Sequence, residues 1–222
     1  MTSSSSYNSA VAAIWTPKRV VAACLNKITA IENVYFAIAG LSACADTGFD
    51  AAALVQDALE EGGSFKEKLA QVTQALEEPL QQAAQFVHDK QPDSFKKYLA
   101  GRDALDVILF TQRGDEVLLS RLAFKTKKRG KDVVFQSRQL DYPNAQSTIM
   151  SVEIIAAGAE ASVAESFSKG TTGQQALVYP EKSVQKFIEM AIAADPPNAR
   201  YPINIIKLAG GVPTQTTVDA PE

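Results

Sequence analysis

The chain opens with two short apolar runs around a turn. Residues 9–15, SAVAAIW, and 20–24, VVAAC, flank Thr16-Pro17-Lys18-Arg19. Proline at the second turn position fixes φ for a tight reversal, so a β-hairpin is predicted over 9–24. Two more strands follow at 27–31 and 33–43, with Asn33 punctuating between them. In the second, Val34, Phe36 and Ile38 alternate with the fairly apolar Tyr35, Ala37 and Ala39. A strand apolar on both faces is buried on both faces.

The period then changes. Leu54, Val55, Ala58 and Leu59 recur at helical spacing over 50–61, and Gly62-Gly63 stops that helix. Ser64 with Glu67 three residues on is a capping box. It opens a helix whose apolar face runs through Phe65, Leu69, Val72 and Leu76, then Leu80, Ala83 and Val87. Pro79 is expected to kink or restart it, and Pro92 to end it. A short helix over 93–99 comes next.

Strands return at 105–112, 116–124 and 133–138, and again at 148–156, where Met150, Val152 and Ile154 alternate with Ser151 and Glu153. A short helix is predicted over 158–168, and the GTTGQQ stretch at 170–175 reads as a flexible loop. Pro180 at a helix start, with Val184, Phe187, Ile188 and Ala191 behind it, marks the last helix. A final strand covers 202–208. The order is strands, helices, strands, helices, strand, which suggests layers and not alternating βαβ units. Two sheets buried against each other, each covered by helices, would account for both the two-sided apolar strands and the long amphipathic helices. Residues 1–8 are read as a flexible N-terminal segment, 9–211 as one domain, and 212–222 as a polar, disordered tail.

Composition narrows the chemistry. The 222 residues are 46% hydrophobic and 21% charged, enough for one domain with a substantial core. A net charge of -3 argues against nucleic acid as the main partner. No apolar run approaches the roughly 20 residues of a membrane helix, and no secretory signal is visible at the start. Cys24 and Cys44 do not make a disulfide framework, so a reducing cytoplasm is the expected location. The single histidine, His88, disfavours a histidine metal site or a Ser/His triad. No cofactor is expected. Lys125, Lys127, Lys128, Arg129 and Lys131 surround Gly130 and read as a solvated hairpin tip.

The segments AVAAIWTPKRVVAA, NKITAIENVYFAIAGL, TGFDAAALVQDAL, QALEEPL, EIIAAGAEASVAESF and YPINIIKLAGG, in this order and spacing, resemble the proteasome β-subunit-like branch of the N-terminal-nucleophile (Ntn) hydrolases, in particular its stand-alone bacterial members. The resemblance covers about nine tenths of the chain. It implies an α+β fold, a four-layer αββα sandwich, and hydrolysis of a peptide or amide substrate by a hydroxyl on the first residue of the mature chain. It also implies a homo-oligomer. On this resemblance Ser9, leading into the first strand, stands where the nucleophile belongs, and Lys27, leading into the ITAI strand, stands where the family's lysine lowers the nucleophile's proton affinity. The family also pairs that lysine with an aspartate after the second strand. Here VVAA runs directly into Cys24-Leu25-Asn26, with Cys24 in the aspartate's place. The alternative is therefore a degenerate, non-catalytic relative acting as a structural or self-assembling subunit.

Overall fold

The computed structural model describes residues 5–8, 10–25, 28–130, 132–158, 161–170, 173–196 and 200–221. In chain order the elements are β1 (Ser5–Asn8), β2 (Val11–Thr16), β3 (Arg19–Cys24), β4 (Thr29–Ile31), β5 (Val34–Cys44), β6 (Phe49–Asp50), α1 (Ala51–Glu60), α2 (Phe65–Lys90), α3 (Pro92–Ser94) and a π-helical turn (Phe95–Leu99). They continue with β7 (Asp103–Arg113), β8 (Glu116–Arg129), β9 (Asp132–Tyr142), β10 (Glu153–Ala157), α4 (Ala161–Gly170), α5 (Gly173–Val178), α6 (Pro180–Ala194), β11 (Ile203–Ala209) and β12 (Val212–Val218). The class is α+β with two antiparallel sheets. One has the order β1-β5-β7-β8-β9, with β4 and β6 also pairing with β5; the other has the order β10-β2-β3-β11-β12. Two compact units are distinguished, residues 1–7, 38–107 and 121–140, and residues 8–37, 108–120 and 141–222.

In the first unit α1 and α2 begin as their sequences dictate. Asp50 caps α1 by accepting from the amides of Ala52 and Ala53. Ser64 and Glu67 form the reciprocal capping box of α2. The buried Lys68 donates to the Leu59 carbonyl, satisfying one of the open carbonyls at the end of α1. Pro79 does not break α2, which is one helix from Phe65 to Lys90. A proline inside a helix costs about 3 kcal/mol. Burying a leucine or valine gains about 1.5–3 kcal/mol each, and Leu76, Leu80 and Val87 are all fully buried. Gly40 has φ +97°, and a Cβ there would fall 2.2 Å from the Ala104 carbonyl oxygen, so β5 and β7 meet at a point where only glycine fits.

The start of the chain departs from expectation. Ser5–Asn8, read as part of a flexible segment, is strand β1 beside β5. Ser5 is buried and its hydroxyl meets the Cys44 sulfur at 3.6 Å. The Tyr7 ring stacks on Tyr98 with centroids 4.5 Å apart. These contacts, and not side-chain propensity, order a serine-rich stretch.

The second unit holds the five-stranded sheet, and both faces of its central strands are buried. Ala10, Ala12, Ile14, Val21, Ala23, Ile203 and Ile205 pack against Phe167 of α4 and Val184, Phe187, Ile188 and Ala191 of α6. On the other face Trp15 is fully buried. Its indole N–H donates to the Val117 carbonyl at 2.7 Å, and its ring lies 5.8 Å from that of Tyr142. The Val117 amide returns a bond to the Pro17 carbonyl. The two-sided apolar pattern of residues 10–24 thus corresponds to a layer covered on both sides.

Three more sequence expectations change here. Residues 148–152 are not strand; β10 begins only at Glu153. Asn144, Ser147, Thr148 and Ser151 bond to nearby amides and hydroxyls, for example the Thr148 amide to Ser151 Oγ at 2.7 Å. Local side-chain bonds of this kind compete with the strand ladder. They leave Ile149 88% exposed. The tail read as disordered contains β12, whose residues pair with β11 from Val218 opposite Ile203 to Val212 opposite Ala209. Its Thr- and Val-rich strand composition explains the difference better than its polarity did. The expected loop at 170–175 also begins helix α5 at Gly173.

Candidate functional site

Ser9 and Lys27 both lie outside the described residues, as does Lys131. Their described neighbours define the sheet end at which the candidate site is read. Ala10, next to Ser9, is buried; Ile28, next to Lys27, is buried and leads into β4. Val11, the first residue of β2, is in register with Cys24, the last residue of β3. The same row continues sideways, Ala157 opposite Val11, Asn204 opposite Cys24, and Thr217 opposite Asn204. Directly opposed residues of a sheet share a face. One row across all five strands therefore brings together an alanine, a valine, a thiol, an amide and a hydroxyl. Thr217 donates to Asn204 Oδ1 at 3.3 Å.

Cys24 is 2% exposed, at the position where the resemblance puts an aspartate. Cys24 and Cys44 are thiols and not a disulfide. A buried free cysteine packs as a small hydrophobe, unlike the carboxylate the resemblance puts there. His88 sits beside Asp89 with Nδ1 and Oδ1 2.7 Å apart, and edge-on to Phe95. The hydrogen bond from His88, with one from Gln85, holds the Asp89 carboxyl below the usual aspartate range. Lys125, Lys127 and Arg129 are exposed on β8, as their alternation with Phe124 and Thr126 requires. Among the described residues no group of three or more His, Cys, Asp or Glu side chains could hold a metal ion.

The strongest electrostatic feature is one that sequence reading missed. In the first unit Asp106 of β7 is buried, and Arg121 of β8 donates to it through Nε at 2.7 Å. The same guanidinium reaches Asp103 through Nη2 at 3.0 Å, and Arg138 of β9 stands 3.5 Å from Asp103. Burial pushes the Asp106 carboxyl up to about 6, and the nearby Arg121 only partly offsets it. The signal was present in the sequence: one charge inside each of two apolar runs, ALDVILF and LLSRLAF. In the same unit, burial also raises the Tyr7 hydroxyl above its usual range, with Cys44 and Tyr98 adding to the effect. That hydroxyl has no hydrogen-bond partner among the described residues. The Asp106–Arg121–Asp103 cluster ties β7 to β8 and reads as structural chemistry.

Among the described residues no helix is long and apolar enough to cross a membrane. Compared with known proteins, the chain matches no protein-family model and no curated protein sequence.

Proposed function

We propose that this chain is a proteasome-like Ntn hydrolase, folded as a four-layer αββα sandwich, that cleaves peptide or amide bonds with Ser9 as nucleophile and Lys27 as its activator. The observation that carries the reading is the register of the buried β2–β3 hairpin. Val11 faces Cys24, so the chain enters β2 from residue 9 and leaves β3 toward residue 27 at one and the same end of the sheet. A nucleophile ahead of one strand and a lysine ahead of a later one need that arrangement. The two antiparallel sheets support it, as do the helices inserted after β6 and after β10.

In this reading the Ser9 hydroxyl attacks the substrate carbonyl. Its proton passes to the Ser9 α-amine, directly or through water, and then to the leaving amine. The Lys27 ammonium lowers the proton affinity of the attacking oxygen. The acyl-ester is then hydrolysed by water. A free α-amine requires that the Asn8–Ser9 bond be cleaved first. Self-association into an oligomer belongs to the same reading.

One observation favours the second reading, a non-catalytic structural subunit. Ser5–Asn8, just before Ser9, form strand β1, with Ser5 buried and Tyr7 stacked on Tyr98, as an unprocessed chain would have them. The buried Cys24 in the aspartate's place points the same way. The discriminating experiment is hydrolysis of a panel of fluorogenic peptide amides by the parent chain and by Lys27→Ala and Ser9→Ala. The hydrolase reading expects turnover in the parent and its loss in both variants with folding retained. No turnover in the parent, or turnover unchanged by both substitutions, would sink it. A purely structural Lys27→Ala should shift stability by no more than about 0.5 kcal/mol.

A further inference from the structure

The second unit carries a cleft formed by residues of α4, α5 and α6. It has a volume of about 230 Å³ and is lined by Gly170, Gln175, Tyr179, Lys182, Ser183 and Lys186. Its framework is held in place by backbone and side-chain bonds. The Tyr179 amide donates to the Gln175 carbonyl at 2.8 Å. The Ser183 amide and hydroxyl both donate to the Tyr179 carbonyl. Arg19 Nη2 holds the Leu177 carbonyl at 2.8 Å, tying the α5–α6 junction to β3. Apart from the Arg19 bond these are helical bonds to the carbonyl four residues earlier, and every lining residue except Ser183 is exposed.

Its charge is one-sided. Lys182 and Lys186 are four residues apart on α6, so they neighbour each other on one helix face, where like charges repel. Neither makes an ion pair among the described residues. The acids of α6 are engaged elsewhere: Glu181 with Lys207 at 2.9 Å, and Glu189 with the Gln185 amide at 2.8 Å. No carboxylate lines the cleft. Lys182 lies over the Tyr179 ring, 5.8 Å from its centroid, and the ring attracts that ammonium. Two neighbouring exposed cations lining one open cleft, with no carboxylate among its described lining residues, suit a ligand that brings two negative charges.

We infer that this cleft binds a small dianion, a phosphate monoester or a dicarboxylate, between Lys182 and Lys186. This site is independent of the hydrolase reading. The test is calorimetric titration of the full chain at constant ionic strength with inorganic phosphate and, separately, with succinate. The proposal expects saturable binding of at least one of them, weakened about tenfold or more in Lys182→Gln and in Lys186→Gln. The exposed Lys66→Gln, on α2, serves as a control and should leave it unchanged. Preference for phosphate or for succinate identifies which class of dianion the cleft takes. The proposal is overturned if neither anion binds saturably up to about 10 mM, if both cleft variants bind as the parent does, or if Lys66→Gln weakens binding equally. Trp15 fluorescence in each variant reports that the fold is intact.

Discussion

Replacing Asp106 by asparagine should change the pH dependence of stability in a direction opposite to the usual carboxylate. Asp106 is 2% exposed, and its carboxyl stands at about 6 against 3.8 for an ordinary aspartate. The folded chain therefore holds this proton more tightly than the unfolded chain does. Below about pH 3 both states are protonated and the group is neutral to stability. As pH rises from about 4 to 6 the unfolded chain loses its proton first, and folding becomes less favourable. Each pH unit of displacement is worth about 1.4 kcal/mol, so the loss is about 3 kcal/mol by pH 7. Asparagine mimics the protonated form and escapes it. Urea denaturation of the parent and of Asp106→Asn at pH 4 and pH 7 measures this directly, because any fixed effect of the substitution cancels between the two pH values. The stability of the variant relative to the parent should rise by about 2 kcal/mol on going from pH 4 to pH 7, because the unfolded carboxyl is already partly ionised at pH 4. A difference that stays flat, or moves the other way, would mean that the Arg121 ion pair outweighs burial, and would refute the argument.

Other substitutions test the framework around the sites. Ser64→Ala removes the capping box of α2, in which Ser64 accepts from the Glu67 amide at 3.3 Å; a loss of about 1 kcal/mol is expected from urea denaturation. Phe187→Ala empties a fully buried position packed edge-on to Phe167, 5.1 Å away, and should cost about 3–5 kcal/mol, read from the same denaturation curves. Gly40→Ala meets both a positive φ and the Ala104 carbonyl; a loss of at least about 3 kcal/mol is expected, seen as a lowered thermal midpoint. If Gly40→Ala is tolerated without loss, the close approach of β5 and β7 is not as described.

Where the sequence was legible, one local signal and the tertiary packing agreed. The β2–β3 hairpin follows from two apolar runs around Thr16-Pro17-Lys18-Arg19. The start of α2 follows from Ser64 and Glu67, and that of α6 from Pro180 at its first turn. Where it was not, long-range contacts decided. Nothing in the serines before Tyr7 announces β1; its order comes from β5, Cys44 and Tyr98, which are distant in sequence. β12 is polar and exposed along most of its length and owes its form to pairing with β11. Conversely, alternation at 148–152 was outweighed by hydrogen bonds from Asn144, Thr148 and Ser151. The candidate site was legible only through the family resemblance, since a serine before a strand and a lysine before another carry no chemistry by themselves. The Asp106–Arg121 pair could have been found from charges interrupting apolar strands. The cleft at Lys182 and Lys186 could not, because it depends on how α5 turns into α6.

The central claim is that Ser9 becomes a chain terminus and acts as a nucleophile. The most direct test is the intact mass and N-terminal sequence of the purified protein. The hydrolase account predicts a mature chain that begins at Ser9, with the α-amine free to take the hydroxyl proton. A chain that begins at Met1 or Thr2, with β1 still attached, would contradict it and leave the structural-subunit reading in its place.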